Sequence, residues 1–162
     1  MSDNAADARL PEDKMAEYFN LVNLTETIMP IVIIAINALR DLKSREIYVI
    51  PTVICMAAGI VYQVVYCGIQ PPELIFMLSP GLMILGISFL TGGAIGRGDS
   101  ILILAIGALT GGENTWLMLA IAMAMTAVCA AVLWIKKSGV KELPFAPFML
   151  PAMIVVILIG GF

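Results

Sequence analysis

The stretch Gly96-Arg97-Gly98-Asp99-Ser100-Ile101-Leu102-Ile103-Leu104-Ala105-Ile106-Gly107-Ala108-Leu109 sets a carboxylate at the head of an unbroken apolar run. A charged side chain at the centre of a membrane helix costs roughly 2.5–3.5 kcal/mol even on the most lenient scale, so such a residue is usually kept for function. The run 100–109 is short. Ten to twelve helical residues cover about 15–18 Å, against about 30 Å of bilayer hydrocarbon. Glycines at 92, 93, 96 and 98 make the preceding segment poor helix, and irregular backbone at membrane depth is tolerated only inside protein or against a wet cavity. Either the bilayer is thinned there or the helix starts below the membrane surface; the glycines point to the second, with Asp99 in the wall of a cavity.

Composition supports a membrane setting. Of 162 residues, 60% are hydrophobic and 13% charged, and the mean hydropathy is +0.99. Soluble domains are nearer 45–50% apolar and about 25% charged. The net charge of −3, with no basic stripe, argues against a nucleic-acid partner. The chain has no histidine, which excludes imidazole bases, histidine triads and histidine metal sites. Cys55, Cys67 and Cys129 form no CxxC pair and read as packing residues, so a zinc site is not expected.

Continuously apolar segments at 21–39, 47–66, 74–90, 100–109, 116–135 and 148–162 predict an all-α integral membrane protein with six transmembrane helices. Residues 1–20 are polar and mostly acidic and read as a flexible tail, leaving 21–162 as one six-helix membrane domain. Arg40, Lys43 and Arg45 follow the first segment, Arg97 precedes the fourth, and Lys136, Lys137 and Lys141 follow the fifth. The loops 68–73 and 110–114 carry no Lys or Arg. All basic loops then share one face, which the positive-inside rule makes cytoplasmic. Asp41, among the first basic cluster, falls on the same face as Asp99.

Each aspartate has a plain alternative. Asp99 reads equally as an N-cap, and Asp41 as the partner of a nearby cation such as Lys43 or Arg45. Asn37 lies one turn before Asp41 and either supports its carboxylate or packs helices. Gly92 with Gly96, and Gly107 with Gly111, fit the spacing of small-residue helix contacts. Trp116 and Trp134 read as interfacial anchors. Ser100 has no histidine to activate it.

The residues match a family. Asp41-Leu42-Lys43-Ser44-Arg45-Glu46-Ile47 resembles the first aspartate motif of type IV prepilin peptidases, and Gly96-Arg97-Gly98-Asp99 resembles their second, GxGD. The run 101–111 looks like the family's apolar helix, and Leu143-Pro144-Phe145-Ala146-Pro147-Phe148 is similar to its Pro-Phe-x-Pro-Phe lead-in to the last helix. The resemblance covers residues 25–162. Two departures stand out: Tyr48 occupies the position where relatives often have proline, and Ile101 the position where they commonly have lysine. The chain lacks the cysteine tetrad of larger members and resembles the short, peptidase-only forms.

The resemblance implies a GxGD-type aspartic endopeptidase of the prokaryotic cytoplasmic membrane, with Asp41 and Asp99 as the catalytic pair and no metal or other cofactor. Gly96, Arg97 and Gly98 would lie on the substrate's approach. It implies prepilin or pseudopilin substrates, cut at the cytoplasmic face, with the lipid bilayer as the other partner. A preflagellin or presenilin-like protease shares GxGD. A carboxylate-dependent transporter and an inactive structural relative are the readings outside that chemistry.

Overall fold

A computed structural model describes residues 27–44, 47–92, 96–136 and 144–159. The expected tail over 1–20, Arg45, and loop residues Lys137 and Lys141 lie outside these. Among the described residues the secondary structure is six helices and no strand: α1 Met29–Ser44, α2 Val49–Val65, α3 Pro71–Leu90, α4 Arg97–Thr110, α5 Gly112–Ile135 and α6 Ala146–Leu158. Two of them, α3 and α5, are by themselves long and apolar enough to cross a membrane. Large apolar side chains such as Ile50, Phe89, Val128 and Leu158 stand exposed on the outer faces. A water-soluble monomer rarely leaves that much apolar surface uncovered.

The helix boundaries follow local chemistry. At the start of α3, Gln70 and Glu73 form a capping box around Pro71, which needs no N–H at the first helical position. Inside α3, Pro80 cannot donate to the carbonyl of Phe76. The Ser79 hydroxyl donates to that carbonyl instead, at 2.7 Å, and accepts from the Trp116 indole N–H at 3.1 Å. Trp116 thus spends its polar tip on α3, while Trp134 at the far end of α5 stays exposed. Gly111 closes α4 with a φ of 84°, a conformation that penalises any side chain.

Helix α4 is the hub. It packs against α1, α2, α3 and α5, while α6 joins α1 to α5. Every residue of α4 from Leu102 to Thr110 is buried, as expected of a helix that is apolar all round. Close approach requires small residues on the facing helices. A Cβ at Gly81 of α3 would lie 2.6 Å from the Leu104 backbone nitrogen, and one at Gly107 would collide with the Met77 carbonyl. Enclosure explains how α4 can be 14 residues long, or about 21 Å: its ends need reach protein, not lipid headgroups.

The sequence-based boundaries shift in two informative places. The first helix continues past the apolar run's end at 39 to Ser44, with Asp41 in its last turn. The last begins at Ala146, two residues before the apolar run, because Pro147 fits the first helical turn.

Candidate active site

Helix α1 carries Asp41 into the interior, where the side chain is 8% exposed. Its Oδ2 accepts a hydrogen bond of 3.2 Å from the backbone N–H of Ala146, 105 residues away. Ala146 opens α6, and the first N–H groups of a helix have no partner within it. Pro147 has no N–H and the Phe148 N–H donates to the Phe145 carbonyl at 3.0 Å, so the Ala146 N–H is the first-turn donor left over, and Asp41 takes it. A carboxylate there also faces the positive end of the helix dipole, a contribution of about 0.3–1 kcal/mol.

Asp99 lies in the first turn of α4, but the N-cap position belongs to Gly96, and no side chain caps the helix. The capping role is therefore not what holds Asp99 in place. A Cβ at Gly96 would sit 2.7 Å from Asp99 Oδ2, so a side chain at 96 would displace the carboxyl group. Asp99 Oδ1 is buried without a hydrogen-bond partner among the described residues. A buried unsatisfied polar atom costs about 1–3 kcal/mol.

The two segments meet. A Cβ at Gly98 would lie 3.0 Å from Cβ of Ile47, so the residue ending the first aspartate stretch rests on the backbone of the second. Asp41 and Asp99 are near enough to interact electrostatically.

The surrounding candidates divide. Asn37 is buried, and its bonds run back along α1 and into the start of α2. Its Nδ2 donates to the Ile33 carbonyl at 2.9 Å and to Thr52 Oγ1 at 3.2 Å, and its Oδ1 accepts from the Tyr48 N–H at 2.9 Å. Thr52 in turn donates to the Tyr48 carbonyl at 2.6 Å. The Arg40 guanidinium stacks over the Tyr48 ring, 3.9 Å from its centroid. Lys43 is exposed in the last turn of α1, where a cation suits the helix dipole. Arg97 is exposed, with its guanidinium 5.4 Å from the centre of the Phe89 ring.

Beside Asp99 is a cavity of about 380 Å³. Asp99 and Gly96 form one part of its lining, Ile103 and Met123 others, and Phe145 contributes from the turn before α6. Phe145 and Ala146 thus connect the two carboxylates: one residue lines the Asp99 cavity and the next holds Asp41. Sequence reasoning matched this lead-in but gave it no role, and it passed over Tyr48 and Thr52 as partners of Asn37. A visible signal was Pro147, which marks the first helical turn and removes one of its donors. The contact itself crosses too much sequence to be read from spacing.

Comparison with known proteins adds one match. The family model described as the type IV leader peptidase family covers residues 27–135, more than half of the chain and both aspartates. It stops short of the Pro144–Ala146 turn that meets Asp41. No curated protein and no solved structure matches the chain.

Proposed function

Because the chain belongs to the type IV leader peptidase family, and is a peptidase on that ground, we propose that it is an aspartic endopeptidase that removes the leader from prepilin or pseudopilin precursors. The observation that carries the reading is the meeting of two carboxylate-bearing segments, with Ile47 seated on Gly98 and Asp41 close enough to Asp99 for the two charges to repel. The proposed setting is the cytoplasmic membrane of a prokaryote, with six spans and the carboxylates toward the cytoplasm. The basic residues Arg40, Lys43, Arg97 and Lys136 support that orientation.

The chemistry follows from the pair. Two carboxylates at close range cannot both ionise easily, so they share one proton. The ionised member accepts a proton from water as the water attacks the scissile carbonyl. The protonated member donates to the carbonyl oxygen, and a proton then passes to the leaving amine. Water supplies the OH that ends on the new carboxyl group and the hydrogen that ends on the new amine. The Ala146 N–H fixes one oxygen of Asp41 and so orients its carboxyl group. Gly96 leaves the Asp99 carboxyl room in its first turn.

A precursor with a basic leader and an apolar helix suits this site: the leader stays in water, and the apolar part lies against the outer face of the protein. The deciding assay is cleavage of a co-expressed precursor in membranes. Wild type is expected to cut, and Asp41→Ala and Asp99→Ala each to abolish the cut while inserting normally. Full cleavage by either variant would refute the paired-aspartate mechanism. Carboxylate-dependent ion flux without proteolysis would favour a transporter.

A further inference from the structure

The two aspartates stand on helices with different principal neighbours. Helix α1, with Asp41, lies chiefly against α6, while α2 lies chiefly against α4, which carries Asp99. Resting on the peptidase reading above, we propose that Tyr48 is a positioning residue for the aspartate pair: its main chain and its aromatic ring latch the last turns of α1 to the segment that rests on Gly98. The residue before it is Ile47, whose Cβ would lie 3.0 Å from one at Gly98. What fixes Tyr48 against α1 therefore also fixes the spacing of the two carboxylates.

The latch has two parts. The first is a closed circuit of hydrogen bonds. The Tyr48 N–H donates to Asn37 Oδ1 at 2.9 Å, Asn37 Nδ2 donates to Thr52 Oγ1 at 3.2 Å, and the Thr52 hydroxyl donates to the Tyr48 carbonyl at 2.6 Å. Asn37 and Thr52 are 1% and 0% exposed, so water does not replace a bond lost there, and the satisfied circuit holds one geometry. Tyr48 enters it through main-chain atoms alone, one donor and one acceptor, which sets the register of the chain at 47 and 48 against α1. The second part is the Tyr48 ring, with the Arg40 guanidinium 3.9 Å from its centroid, an attraction between a cation and a π-face. Asn37 and Arg40 share a face of α1 and come four residues and one residue before Asp41. Both contacts thus act on the turn that carries the carboxylate. The ring itself adds little to the core, since Tyr48 is 42% exposed.

The test uses the full chain in detergent and two readouts. The φ of Tyr48 is −71°, a value proline adopts, so Tyr48→Pro removes the N–H and the ring with little backbone strain. With a prepilin precursor at varied concentration, Tyr48→Pro is expected to lower kcat about tenfold with KM unchanged, part of what a 1 Å misplacement of reacting groups costs. Tyr48→Ala removes the ring alone and is expected to lower kcat about threefold, and Tyr48→Phe, which keeps the ring and the main chain, to restore it. The second readout does not depend on cleavage. With Cys55, Cys67 and Cys129 replaced by alanine, Ile47→Cys with Gly98→Cys is expected to form a disulfide on mild oxidation. Adding Tyr48→Pro is expected to slow that step about fivefold, because the bond forms only over a narrow range of Cβ separations. An unchanged cross-linking rate overturns the latch alone, as does a wild-type kcat in both Tyr48→Pro and Tyr48→Ala, or a change confined to KM. Wild type cutting no precursor overturns the peptidase reading, and with it the catalytic purpose of the latch, whatever the cross-linking rate.

Discussion

A Cβ at Gly98 would lie 3.0 Å from Cβ of Ile47, so a branched residue there presses the first aspartate segment away from the second. Gly98→Val is expected to insert and fold but to lose about a hundredfold in cleavage, the scale of a 1 Å misplacement of reacting groups. Near-normal cleavage by that variant would mean that the Ile47 contact does not set the distance between the carboxylates. Asp41 and Asp99 call for a subtler pair of changes. Asp41→Asn keeps a carbonyl oxygen that can accept the Ala146 N–H, so its loss of cleavage would report chemistry rather than position. Asp99→Asn removes a carboxyl group that makes no capping bond, and it is expected to abolish cleavage with the thermal midpoint unchanged or raised.

At the scale of elements, α1 and α2 are fastened by one polar cluster. Asn37 accepts from the Tyr48 N–H and reaches Thr52, one turn before Asp41. Asn37→Ala leaves that N–H without its partner, a cost of about 1–3 kcal/mol, to be measured by thermal unfolding in detergent, with cleavage falling as Asp41 loosens. Normal stability would remove the cluster from the account of the site. The packing around α4 gives a matched comparison. Gly107→Ala forces a methyl group onto the Met77 carbonyl and is expected to cost about 1–3 kcal/mol. Gly86→Ala on α3, where nothing lies within 4 Å, is expected to gain about 0.5–1 kcal/mol from helix propensity. Equal effects of the two would contradict the close contact of α3 with α4. The spacing of Gly107 and Gly111 anticipated helix contact at both, yet only Gly107 receives a neighbouring helix backbone, while Gly111 ends α4.

For the whole molecule, the proposed topology places Lys43 and Arg97 on one side of the membrane and the turn holding Cys67 on the other. With the native cysteines otherwise replaced, a membrane-impermeant maleimide is expected to label Lys43→Cys and Arg97→Cys from the cytoplasm and Cys67 from outside. Labelling of all three from the same side would break the six-span arrangement. Enclosure on this scale also answers why the shortest apolar run is the best buried: α4 lies among four other helices, and α3 and α5, the two longest, carry much of their apolar surface outward.

The sequence by itself determined the helical class, the apolar character, both aspartates and the basic residues beside them, because these depend on composition, runs and short motifs. Its boundary for the first helix stopped at 39, since hydropathy falls at Arg40 and Asp41, although hydrogen bonding carries the helix to Ser44. Only the tertiary structure decided that Asp41 is held by the start of α6, that Asn37 serves α2, that Gly96 rather than Asp99 occupies the N-cap, and that a cavity adjoins Asp99. Apart from the N-cap, which is local to α4, each of these depends on backbone groups or empty space contributed by separate helices. A backbone N–H is present at nearly every residue, and a void belongs to none, so neither leaves a mark in the order of the side chains.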